Sequence, residues 1–203
     1  MFHWKIIITL IILQILSLIF THLYEKKDDS VEIEQEKKDI CINPITRDFI
    51  LSWIRFTVNM INYSRSIIKE SEDVNNYYSQ LQKTKDDLIN SFSKIYSKYA
   101  DEFKDLINKQ ISIKTDLCDS IVDKEQDNVK KFSEELSENT NNLTMLFIKI
   151  KNNKDDDLKL KQTMTKHTNT YIKSLSFAKK ASGDELDREL VLGSLDTAKL
   201  LFI

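Results

Sequence analysis

Glycine and proline are nearly missing from this chain, at two and one residues out of 203. Tight turns depend on those two residue types, so a fold rich in β-strands is excluded in favour of helices. The same scarcity removes the glycine-rich loops whose backbone cradles phosphates. Cysteine is equally sparse, and Cys41 and Cys118 make neither a disulfide framework nor a metal-ligand spacing. Cys118 falls on a core-facing helical position, where a thiol acts as a small hydrophobe. Of three histidines, His3 and His22 flank an N-terminal apolar run, which leaves His167 alone for the rest of the chain. One imidazole without carboxylates does not hold a transition metal, so neither a metal nor another cofactor is expected. An excess of one charge is also lacking. The 30 basic and 32 acidic residues are interspersed and sum to −2, and no basic face stands out for nucleic acid. Without a nucleophile–base pair or a Cys-x-x-Cys motif, the sequence shows no catalytic apparatus, and the balance leans away from an enzyme.

What the chain does have is an almost unbroken apolar run, Ile6 to Tyr24, followed abruptly by charge from Glu25 onward. As a helix the run spans roughly 28 Å, close to the thickness of a bilayer core. Trp4 and Tyr24 bracket it as interfacial aromatics do. Bulky residues at Leu18–Tyr24 stand where signal peptidase needs small ones, so an uncleaved anchor over residues 1–24 is favoured over a cleaved signal that releases a secreted bundle. Lys5 on one side and Lys26 and Lys27 on the other leave the orientation of this single-pass anchor open. The expected partner of residues 6–24 is the lipid bilayer, and any protein partner is unidentified.

Residues 25–46 read as a charged linker. Pro44 follows Asn43, a turn or cap pair, and Thr46 is a candidate cap for a helix from Arg47. Residues 47–203 then read as one helical domain, broken near 71–76, 97–101, 124–128, 152–157 and 182–184. Short breaks between long helices force antiparallel neighbours. The fold class is therefore all-α, an N-terminal transmembrane helix followed by an antiparallel up-and-down bundle of four to six helices. Each long helix carries an apolar stripe at spacings of three and four. The first reads Phe49, Trp53, Phe56, Met60, Tyr63, Ile67, and the second runs from Val74 and Tyr78 through Leu81 and Leu88 to Phe92. The Asn62 and Asn142 glycosylation patterns lie inside predicted helices of an Asn-rich chain, and the abundance of Ile, Lys and Asn matches an AT-rich genome.

Four polar residues interrupt these stripes near mid-helix: Lys85, Gln110, Asn139 and His167. Antiparallel helices of matched length bring their midpoints to one level, so a shared polar layer is expected. An unpartnered buried polar group costs about 1–3 kcal/mol, so the layer must bond internally, to water or to a ligand. The first reading is a satisfied layer that sets helix register, with Lys85 free to snorkel outward. The alternatives are a small-ligand or metal pocket using Gln110, Asn139 and His167, or a misjudged helix face.

At the same residues the chain resembles a family of small helical proteins of bacteria and some large DNA viruses. Its function is not established, and its members often carry inherited enzyme names such as acetylglutamate kinase. The family pattern has His followed three residues later by Trp-Thr-Arg in its first helix. An Asn-Gln pair opens an NQxxIG-like run in the second, Leu-Leu-x-x-His-Ile lies in the third, an Asn follows a Trp by three in the fourth, and Met-x-x-His lies in the fifth. This chain shows Met60 before Tyr63-Ser64-Arg65, then Thr84-Lys85, Leu106-Ile107-Asn108-Lys109-Gln110-Ile111, Leu136-x-x-Asn139 and Met164-x-x-His167. The resemblance covers about residues 47–203 and implies a helical bundle. Because Met60 and Gln110 replace two of three family histidines, it also implies a partly dismantled polar cluster. The expected role is a membrane-anchored bundle with a structural or interaction function.

Overall fold

Asn43 starts the helical domain: its Oδ1 accepts a hydrogen bond from the Ile45 amide at 3.0 Å, with Pro44 at the first helical position. The first helix therefore begins three residues before Arg47, and Thr46 sits in its first turn instead of capping it. The computed structural model describes residues 43–151, 156–178 and 184–202. The apolar run Ile6–Tyr24, Cys41 and most of the charged linker lie outside the described residues.

Six α-helices and one short 3₁₀ turn follow in order: α1 Pro44–Ile68, α2 Val74–Ile95, the 3₁₀ turn Ser97–Tyr99, α3 Ala100–Val122, α4 Gln126–Lys151, α5 Asp157–Phe177 and α6 Asp184–Phe202. No strand occurs among the described residues, so the protein is all-α. Among those residues, too, no helix is long and apolar enough to cross a membrane. With so little glycine, two helix ends use other residues in the left-handed region, Glu70 at φ 51° and Lys124 at φ 61°. After α1 the Ser71 amide reaches back to the Ser66 carbonyl and the Glu70 amide to that of Ile67, satisfying carbonyls that the helix end would leave bare.

Cross-helix contacts set the directions. Phe49 meets Phe92 and Tyr63 meets Tyr78, so α1 and α2 are antiparallel. Lys149 reaches Glu102 while Asn139 reaches the Leu106 carbonyl, so α3 and α4 are antiparallel. Thr140–Thr168 and Lys151–Asp156 do the same for α4 and α5, and His167–Ser194 with Met164–Thr197 for α5 and α6. The Thr57–Ser194 and Arg65–Asp187 pairs bring α6 back against α1. Sequence neighbours are therefore spatial neighbours, as short connections require.

The core follows the stripes. Leu81, Leu88, Leu117, Leu136 and Leu143 are fully buried, each contributing about 1.5–3 kcal/mol of burial free energy. One end is filled by aromatic rings: Phe92 and Phe103 stack at 3.9 Å between centroids, with Phe49, Trp53 and Phe147 around them. Tyr78 departs from its stripe. It is exposed, with its ring laid against Tyr63 at 5.3 Å.

Candidate functional site

The four polar stripe residues meet different fates. Lys85 is partly buried and satisfied within its own helix, its Nζ donating to Gln82 Oε1 at 2.6 Å and lying 3.5 Å from Asp86. It does not join a layer. Asn139 is fully buried, and its Nδ2 donates to the Leu106 carbonyl at 3.1 Å. Its Oδ1 has no hydrogen-bond partner among the described residues. Gln110, one turn beyond Leu106 on α3, is buried as well. On α5 the His167 Nε2 lies 3.1 Å from Ser194 Oγ, which lies 2.8 Å from Thr57 Oγ1. Helices α3 and α5 run parallel, and the Lys114–Tyr171 contact one turn further along ties them in register. Gln110 and His167 thus share a level, and Met60, between Thr57 and Ser64 on α1, falls there too. Asn139 and His167 hydrogen-bond to neighbours outside this set, and among the described residues no hydrogen bond links any two of Gln110, Asn139 and His167.

One turn further lies a group that the sequence reading passed over. Lys114 is only 5% exposed, and its Nζ sits 4.0 Å over the Tyr171 ring. It makes no ion pair among the described residues. The fully buried Cys118 lies one turn along the same face of α3. Tyr171 and Ser64 share a 2.6 Å hydroxyl hydrogen bond, and Ser64 Oγ donates to the Met60 carbonyl at 2.7 Å, so the phenol is the donor to Ser64. The signal for Lys114 was present: positions 110, 114 and 118 step by four along the buried stripe. A lysine there reads as solvated only if its own position on the stripe is ignored.

Burial dominates the electrostatics of this cluster. Desolvation pulls the Lys114 ammonium down to about 7, with the Cys118 thiol opposing weakly. Burial pushes the thiol up to about 12 against a lowering influence of the neighbouring Ser64 and Tyr171 hydroxyls, and burial raises the Tyr171 phenol well above its usual value. Burial, then the charge on Lys114, pulls His167 down to about 3, against a backbone hydrogen bond to Leu190 that favours the charged form. At neutral pH His167 and Cys118 are therefore uncharged, and Lys114 stands near its midpoint. A thiol held that high is a poor nucleophile and a poor metal ligand. Among the described residues no group of three or more His, Cys, Asp or Glu is placed to hold a metal ion.

Close packing holds the histidine. Gly193 of α6 faces it, and a Cβ built there would lie 3.2 Å from His167 Cδ2. Mid-helix glycine costs roughly 1 kcal/mol against alanine, and here it lets α6 approach the imidazole. Thr140 and Thr168 bond at 2.7 Å beside this level, at the wall of a surface cleft of about 220 Å³ on the α4–α5 seam.

No protein-family model, curated protein or solved structure is significantly similar to the chain. The family resemblance therefore rests on its motif residues alone.

Proposed function

We propose that this protein is a membrane-anchored helical bundle with a structural or interaction role and no catalysis of its own. The observation that carries this reading is the run Ile6–Tyr24, long enough and apolar enough to span a bilayer core. The linker that follows holds the bundle beside the membrane, and the lipid bilayer is the first partner. The character of the polar core supports the reading. Its hydroxyls and its imidazole bond one another and helix carbonyls in the chains Thr57–Ser194–His167 and Tyr171–Ser64–Met60. Interhelical polar bonds of this kind set register. Met60 and Gln110, in place of the histidines of the family it resembles, fit a bundle that kept the architecture and lost a cluster. Replacing Ile12 and Leu16 of the full chain by lysine tests the anchor, because each lysine at a span centre costs about 2.5–3.5 kcal/mol of insertion. The double variant is expected in the soluble fraction and the natural chain in the membrane fraction; equal distribution of the two contradicts the proposal.

A second reading, a small-ligand bundle using Gln110, Asn139 and His167, draws on one observation: the buried Oδ1 of Asn139 lacks a donor. A ligand that supplies one belongs at that level. Mass spectrometry of the natively purified protein, before and after denaturation, decides it: a stoichiometric small molecule that His167→Leu loses supports this reading, and an empty protein with an unchanged fold removes it.

A further inference from the structure

The two ends of the bundle differ in charge and in exposed apolar surface. Lys149 bonds to Glu102, Lys151 to Asp156, and Phe49, Phe92 and Phe103 cluster. Those contacts gather at one end the start of α1, the end of α2, the 3₁₀ turn, the start of α3, the end of α4 and the start of α5. Hydrogen bonding of Lys151 Nζ to the Leu200 carbonyl adds the end of α6. Leu158 stands out from this end at 67% exposure, the most exposed large apolar side chain described, and Ile45 at 41%. Half-buried Tyr96 and Tyr99 lie between them in the chain, with the Lys98 and Lys149 amines over the Tyr99 ring. Arg47, Lys94, Lys98 and Lys159 are exposed here. Glu102 and Asp156 are taken up by their lysine partners; Asp48, Asp101 and Asp157 remain, and basic groups outnumber them. A cleft of about 530 Å³ between the start of α5 and the end of α6 adds Lys159 and Lys199 to its rim, with Asp156 and Asp196. The opposite end presents Glu70, Glu72, Asp73, Asp123, Glu125 and Asp127, all exposed, and among the described residues acids outnumber bases there.

We infer that the end bearing Ile45, Tyr99 and Leu158 together with the exposed Arg47, Lys94, Lys98 and Lys159 is a docking face for an anionic phospholipid bilayer. Lysines near an anionic leaflet are each attracted to it, exposed aliphatic side chains enter the headgroup boundary, and half-buried tyrosines suit that depth. The acidic end is repelled by the same surface. The chain enters the domain at this end, through Asn43, from the segment that carries Ile6–Tyr24. The inference rests on the anchor reading and extends it: the bundle stands basic end down on the leaflet that carries anionic lipid, which assigns the orientation left open by the flanking lysines.

Hydrogen exchange of the full chain in nanodiscs tests it, using phosphatidylcholine alone and phosphatidylcholine with phosphatidylserine. Incorporation into the discs is read first, and failure to incorporate removes the anchor reading and this inference with it. Once the chain is incorporated, amides in 94–101 and 156–160 are expected to exchange at least about threefold more slowly in the anionic discs. Residues 119–127 at the acidic end should be unaffected. High salt and the surface variant Leu158→Glu/Lys159→Glu should each erase the difference. Equal exchange in both lipids, or protection of 119–127 in place of the basic end, overturns the docking face while leaving the anchor standing. Protection that follows protein concentration without regard to lipid assigns the face to a second copy and overturns it as well.

Discussion

Lys114 Nζ lies 4.0 Å over the ring of Tyr171, between α3 and α5, with no carboxylate paired to it among the described residues. A cation held this way recovers only part of its hydration: the ring returns about 0.5–2 kcal/mol, while removing an ion from water costs several. Lys114→Met keeps the packing and removes the ion. The variant is expected to be more stable by about 1–4 kcal/mol at pH 7 or below, read as a higher urea midpoint with an unchanged slope. A destabilised Met variant would mean that the ammonium is held by more than the ring.

The same lysine shapes the alkaline side of the stability profile. Between its folded value of about 7 and its unfolded value of 10.5 the unfolded chain binds a proton that the folded chain has released. Lys114 therefore makes stability rise with pH across that window. Cys118, pushed from 9.0 to about 12, acts in the opposite direction above pH 9. Urea titrations of the natural chain should show stability climbing from pH 7 to about 9 and then levelling, and Lys114→Met should lose the climb.

His167 governs the acid side. Its unfolded imidazole takes a proton near 6.5 and its folded one only near 3, so the unfolded state binds more protons throughout that interval. Stability attributable to His167 is complete above pH 6.5 and drains away as pH falls toward 3. His167→Leu should flatten the slope between pH 6.5 and 4.5, where few carboxylates titrate. A variant with the natural slope would show that the imidazole protonates freely in the folded protein.

Tyr171 and Ser64 form a buried pair whose members cannot be removed independently. Tyr171→Phe leaves the Ser64 hydroxyl without its donor, and Ser64→Ala strands the phenol. Each change should cost about 1–3 kcal/mol. The double variant should cost less than the sum, because the second change finds the bond already broken. Strict additivity in denaturation midpoints would contradict the 2.6 Å bond.

Gly193 supplies a test of the packing around the histidine. Alanine gains roughly 1 kcal/mol of helix propensity at such a site, but its Cβ would press on His167 Cδ2 at 3.2 Å, and that ring is tied to Ser194. Gly193→Ala is expected to destabilise the natural protein and to stabilise His167→Ala by about 1 kcal/mol. The same sign in both backgrounds would show that the contact is slack.

Much of this architecture was legible in the residues. Helix was implied by the want of glycine and proline, and the stripes through Phe49–Tyr63 and Leu81–Phe92 point where the pattern put them, because burial of large apolar groups dominates local preference. The start of α1 was misplaced since Asn43 and Thr46 are both good caps; Pro44, which fits the first helical position, decides between them. The polar layer was half legible. Gln110 and His167 do share a level, but which neighbour each one bonds depends on helix rotation, which spacing alone does not reveal. Lys85 is partnered by Gln82 and Asp86 of its own helix, whereas Lys114 sits over the Tyr171 ring, and no propensity distinguishes the two. Ser194, which bridges Thr57 and His167, lies 137 positions from Thr57, beyond the reach of any local pattern.

The central claim is that Ile6–Tyr24 holds the bundle to a membrane. Alkaline carbonate extraction of membranes containing the full chain, followed by intact-mass measurement of the protein that remains, tests it most directly. The account predicts a carbonate-resistant protein whose mass includes residues 1–24. A protein released by carbonate, or one whose mass shows that the N-terminal run has been removed, would contradict it.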